Sequence, residues 1–291
     1  MTIRLRPRWM LSCCAVLLLV LLQPAWGEEE PVYQGRTVSS WLQDFAMGRF
    51  PDMDKHRLAV KAIRAIGKEA LPVLVDRLKV TSASLDAVQD MHTLSAFTAL
   101  GSEASPAVPD LIKLLAPAYD AARLSPSEPD AMLKHRKSIY AALSLRAIGE
   151  NSVVPLTRAL ASEEKQIRFG AAMAMEHLRH REQVVVLALI RALDDEDDSV
   201  RWRAARSLGA LHAMPELSVP ALSKRVREDP AANVRWYAIS ALAKFGPAAQ
   251  SAVPDLLKAT TDASSAVRLR AREARQKIDP SAATEVEDRK P

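Results

Sequence analysis

Leu193–Gly209 reads LDDEDDSVRWRAARSLG, and the same plan returns on either side of it with different residues. Val200, Arg201 and Ala204 recur as Val234, Arg235 and Ala238, then as Val267, Arg268 and Ala271, and one period earlier as Ile167, Arg168 and Ala171. The spacings are 33, 34 and 33 residues. A period of that length marks stacked supersecondary units that each need a neighbour to bury their apolar side. Such a chain grows by adding units, so its 291 residues do not have to divide into two globular domains.

Working outward, six units align without gaps on an alanine and a leucine-like pair. They are Ala59/Ile63/Ile66, Thr93/Phe97/Leu100, Ala141/Leu145/Ile148, Ala171/Met175/Leu178, Ala204/Leu208/Leu211 and Ala238/Leu242/Phe245. Spacings of four and three place each set on one helical stripe. Gly67, Gly101, Gly149 and Gly246 follow four of the stripes, where a left-handed C-cap is expected. A proline then opens a second apolar helix in all units but the fourth: Pro72, Pro109, Pro155, Pro220 and Pro254. The expected fold is all-α: a solenoid of about six helical hairpins, with capping helices, over residues 51–278. Nine glycines and no strand-like alternation agree with that class.

The ends differ in character. Arg4, Arg6 and Arg8 precede an apolar run, Met10–Leu22, then Ala25-Trp26-Gly27 before three glutamates. This is the pattern of a secretory signal peptide over residues 1–27, which predicts a secreted or periplasmic protein. The alternative is an uncleaved membrane anchor over residues 9–26, just long enough to span a bilayer. Both cysteines, Cys13 and Cys14, lie in this segment, so the remainder has no thiol chemistry. Without those three arginines the formal charge of +5 falls to +2, which argues against a nucleic-acid partner. Residues 28–50 read as a polar linker followed by a capping helix, started by Thr37, with Val38, Trp41, Leu42 and Phe45 on one side. Around residues 117–130 the period lengthens by about 15 residues, and Pro117, Pro126 and Pro129 suggest an inserted surface loop. The last helix, Val267–Ile278, carries several arginines on its outer side, and residues 279–291 read as a polar tail.

The pattern Asp-x-x-x-x-Val-Arg-x-x-Ala-Ala-x-x-Leu-Gly beside a proline-started helix resembles HEAT repeats, of the short type found in phycobilisome-lyase-like proteins. The matching residues are Asp195/Val200/Arg201, Asp229/Val234/Arg235 and Asp262/Val267/Arg268. The resemblance implies an armadillo-type superhelix, and a structural ladder in which Asp195, Arg201, Asp229, Arg235, Asp262 and Arg268 tie unit to unit. His56, Asp90 and Ser138 stand at the arginine position of the first three units, where that ladder is in doubt.

Beside each arginine stands Phe169, Trp202, Trp236 or Leu269. At 100° per residue Trp202 lies about 200° from Val200, opposite the stripe that fills its own hairpin. A row of large apolar groups on that side is the candidate partner-binding face, with Arg203, Arg206 and Tyr237 supplying polar direction. The competing reading is that each ring packs on the next repeat. His177 and His180 share one helix face and could hold a metal, as the His-Glu pairs of deoxyhypusine hydroxylase, a HEAT-repeat enzyme, do; here the order is Glu-His and it occurs once. No cofactor or catalytic residue is assigned. The reading that follows is a scaffold for a protein or peptide of unknown identity, the rival being an enzyme or enzyme subunit of the bilin-lyase or metal-hydroxylase kind.

Overall fold

The structure, a computed structural model, describes residues 30–45, 52–79, 87–123, 129–178 and 182–279. The signal or anchor segment, Pro51, Pro126, His180 and residues 280–291 lie outside them. The described chain is an α-solenoid. A two-residue hairpin, β1 (Val32–Tyr33) with β2 (Arg36–Thr37), pairs Val32 with Thr37 where a linker was expected. Its turn residues Gln34 and Gly35 both have positive φ, the geometry that matches strand twist. Thr37 then caps α1 (Val38–Leu42) by accepting the Ser40 amide. Val38, Trp41, Leu42 and Phe45 are buried, and Arg36 lies over the Trp41 ring at 3.9 Å.

Each unit has a first and a second helix. The first helices are α2 (Met53–Ile66), α4 (Ala87–Leu100), α7 (Pro129–Ile148), α9 (Lys165–Met175), α11 (Asp198–Leu211), α13 (Ala232–Phe245) and α15 (Ser265–Ile278). The second helices are α3 (Leu71–Lys79), α5 (Val108–Lys113), α8 (Val153–Ala159), α10 (Glu182–Ala192), α12 (Pro215–Glu228) and α14 (Val253–Ala259). The stripes that define the period, Ala204/Leu208/Leu211 among them, are the buried core. Gly67 and Gly246 end their helices at φ 65°, ψ −139° and φ 54°, ψ −135°, a region open to residues without a Cβ.

Two local readings change. Pro117 and Pro129 do not mark a loop: each is the first residue of a helix, α6 (Pro117–Arg123) and α7, where a missing N–H costs no hydrogen bond. Between them, residues 124–128 are not described. Helix α6 packs against α7 and α9, so much of the insertion belongs to the array. Likewise α12 begins at Pro215, leaving Pro220 inside the helix.

First helices approach closely where they lack side chains. A Cβ at Gly209 would lie 2.7 Å from the Ala241 Cα; Gly170 is packed as tightly on Leu115, in the turn between α5 and α6, where a Cβ would overlap it. Nearby, the Ser207 hydroxyl donates to the Ala172 carbonyl at 2.8 Å. Gly209→Ala therefore pits a helix-propensity gain of about 1 kcal/mol against overpacking onto backbone, which costs about 1–3 kcal/mol. Net destabilisation, read as a lower urea midpoint at unchanged slope, is the expected outcome.

Candidate binding face and the ladder beneath it

The ladder runs forward, from each arginine to the next unit's aspartate. Arg168 binds Asp195 through Nε and Nη2 at 2.7 and 3.0 Å, Arg201 binds Asp229 at 2.8 and 3.0 Å, and Arg235 binds Asp262 at 2.8 and 2.8 Å. The remaining Nη1 turns back on its own unit: Arg201 donates to the carbonyls of Asp195 and Glu196 at 2.9 and 3.1 Å. The aspartate six residues upstream of each arginine thus offers it a carbonyl, while its carboxylate serves the unit before. Each carboxylate also accepts an amide two residues on: Asp197 at 2.9 Å, Ala231 at 3.0 Å and Ser264 at 2.8 Å. One side chain both ties two units and shapes the turn into the next first helix. Arg168 joins this ladder, although Ser162 stands at its upstream aspartate position, because that position contributes a carbonyl at 3.0 Å. Arg268 donates to the carbonyls of Asp262 and Ala263 and has no onward carboxylate among the described residues.

In the earlier units the charge pattern reverses. Asp90, at an arginine position, is 3% exposed and accepts Lys137 at 2.6 Å, with Arg136 at 3.1 Å. Ser138 donates to the Leu114 carbonyl at 3.0 Å, and His56 meets the Phe45 ring edge-on.

The aromatic side chains form one continuous row. Tyr119, from α6, meets Phe169 edge-on at 5.6 Å; Phe169 meets Trp202 at 5.3 Å; Trp202 stacks on Tyr237 at 4.6 Å; and Tyr237 meets Trp236 at 4.9 Å. Tyr119 also donates to Asp197 at 2.9 Å. The row is buried at one end and opens at the other. Phe169 is 0% exposed, so it is no partner contact: Tyr119 and Trp202 cover it, and Tyr119 comes from the insertion fifty residues upstream. Arg203 is also withdrawn, at 4% exposed, its guanidinium 5.0 Å from the Phe169 ring and 5.1 Å from that of Trp202. Burial pulls its pKa down to about 10, opposed by Glu176, whose Oε2 lies 3.6 Å away. It stays charged at neutral pH. Leu269 is 59% exposed and extends the apolar row no further inward.

Trp236, Tyr237 and Arg206 do meet. With Ser240, Lys244 and Arg270 they line a cleft of about 250 Å³ across α11, α13 and α15. Arg270 lies over the Trp236 ring at 5.3 Å and pairs with Glu273 at 2.9 Å; Arg206 stands 3.9 Å from Glu176; Lys244 forms no ion pair with another described residue. A larger groove of about 460 Å³ lies on the other layer, between α3 and α5, lined by residues such as Lys68, Val75, Lys79 and Asp110. Nothing in the repeat pattern singles that groove out. His177 sits 3.6 Å from Glu176, and no cluster of three metal-ligating side chains occurs among the described residues.

The rungs generate two expectations. Removing Arg201 leaves the buried Asp229 carboxylate only Arg225 at 3.8 Å and the Ala231 amide, so Arg201→Ala should cost about 3 kcal/mol, whereas Arg268→Ala, which loses two carbonyl contacts at the open end, should cost about 1 kcal/mol; denaturant unfolding of the two variants compares them. The Arg235 hydrogen bond holds the Asp262 carboxyl below its ordinary 3.8. Its contribution is therefore complete above that value and lost as pH falls through the lower folded value. The stability difference between wild type and Asp262→Asn, measured from pH 6 downward, should be level to about pH 4 and then shrink.

A family model described as HEAT repeats matches residues 153–232 and 219–286. Among solved structures, Kap121p superposes with a TM-score of 0.53 at 14% identity over 77% of this chain, which spans 28% of Kap121p. A designed armadillo repeat protein gives 0.41 at 19% identity, covering 72% of this chain and 100% of its own, and human deoxyhypusine hydroxylase gives 0.38 at 18%, covering 84% and 96%; at those scores neither bears on function. No curated protein gives a significant match. The HEAT-repeat match falls on the part of the solenoid that carries the regular rungs and the open end of the aromatic row.

Proposed function

We propose that this chain is a secreted or periplasmic HEAT-repeat scaffold, of the short phycobilisome-lyase-like type, that binds a protein or peptide along the first-helix face at Trp202, Tyr237 and Trp236. The observation that carries this reading is the end of the aromatic row: stacked rings that structural packing would fully cover instead remain half-buried, rimmed by Arg206, Lys244 and Arg270. Aromatic groups held rigid by neighbours and edged with polar side chains are what interface anchors require. The rungs supply rigidity, so a partner would meet a surface already arranged. Kap121p, which has a similar fold, has been solved bound to Nup53p and to RanGTP, which supports protein binding as a use of such arrays. Secretion rests on the basic and apolar pattern of residues 1–27.

A photo-crosslinking amino acid at Lys244, compared with one at Leu187 on the second-helix layer, tests the face. Adducts from position 244 in the native envelope fraction, lost when Trp236→Ala is added, are expected. Adducts from position 187 alone would place the partner on the other layer and overturn the proposal.

A further inference from the structure

The cleft at Trp236 and Tyr237 has a charge pattern that the binding reading leaves unused. Arg206, Lys244 and Arg270 come one each from α11, α13 and α15, three successive first helices. Facing them are two carboxylates: Glu273, engaged by Arg270, and Glu176, which lies near Arg203, Arg206 and His177. Lys244 forms no ion pair with another described residue. The positive field extends toward α7, where burial and then Arg203 and Arg206 hold the His135 imidazole below its usual pKa, against Glu176. Arg203, buried beneath, adds a fixed charge whose Nε has no hydrogen-bond partner.

Cations from three successive repeats gather around one aromatic cleft, so the occupant that fits is anionic. An extended peptide leaves its side chains free to reach such groups and lies well on aromatic surfaces. Resting on the proposed binding face, we infer that the partner segment is an acidic peptide in an extended conformation, with carboxylates meeting Arg206, Lys244 and Arg270, and a proline or aliphatic side chain seated on Trp236 and Tyr237. Charge complementarity selects this occupant over a basic segment, which would meet like charge at each repeat.

The test is selection of random twelve-residue displayed peptides on the full chain, with synthetic versions of the winners measured by fluorescence anisotropy. Winners should be enriched in Asp and Glu beside a proline or aliphatic residue. Binding should weaken about tenfold when those acids are changed to Gln, by a similar factor in Arg206→Glu/Lys244→Glu, and steadily with added salt. Both substituted residues are exposed, and the Gln peptides read the same interaction on the unaltered protein. Winners that need Trp236 but carry no excess of Asp or Glu overturn the charge inference and leave the binding face standing. If no winner depends on Trp236, both fall. Tighter face-dependent binding of a twelve-nucleotide oligothymidylate than of any winner would replace the peptide with a nucleic acid and overturn the inference.

Discussion

The bidentate contact between an arginine and the aspartate of the next unit is the constraint on which this array depends. Helical hairpins with apolar stripes could slide along one another, since Ala, Leu and Val surfaces are not directional. A planar guanidinium held by two carboxylate oxygens and two carbonyls admits one arrangement. Because the same carboxylate accepts the amide that opens the next first helix, the turn and the stacking register are set together. Exchanging a rung for an apolar pair would fill space and still leave that amide without its acceptor.

Where the rung motif lapses, the physics persists in another form. Asp90 takes its charge from Lys137 and Arg136 on the next first helix, so the early units are bridged by an anion reaching forward instead of a cation. Close approach at Gly209, and the Ser207 hydrogen bond to Ala172, bring first helices together without large side chains. Phe97 and Phe245 fill the buried stripes, while Trp202 and Trp236 stand on the side of their helices away from the stripe. Helix α6 closes one end of the aromatic row with Tyr119, and beyond Phe169 the rings of Trp202, Tyr237 and Trp236 are only partly buried. A structural feature at α9 thus becomes an available surface by α13, with a continuous set of packed rings between them.

The sequence by itself determined the all-α class, the period, the buried stripe of each helix and the positions of the rungs' two chemical partners, because these follow from spacing along one helix and repetition between helices. It could not say which aspartate an arginine takes. The carboxylate six residues behind Arg201 and the one twenty-eight ahead belong to the same motif, and periodicity makes them equivalent until the units are stacked. Helical angle placed Trp202 away from its own hairpin, but the depth of each ring depended on its neighbours. Phe169 is shielded from solvent by Tyr119, a residue from a stretch where Pro117 and Pro129 read as breakers and in fact start helices. The gathering of Arg206, Lys244 and Arg270 around Trp236 was equally hidden, since they occupy different positions within their repeats. Tertiary packing decided these points, for the physical reason that burial and charge proximity are properties of pairs far apart in the chain.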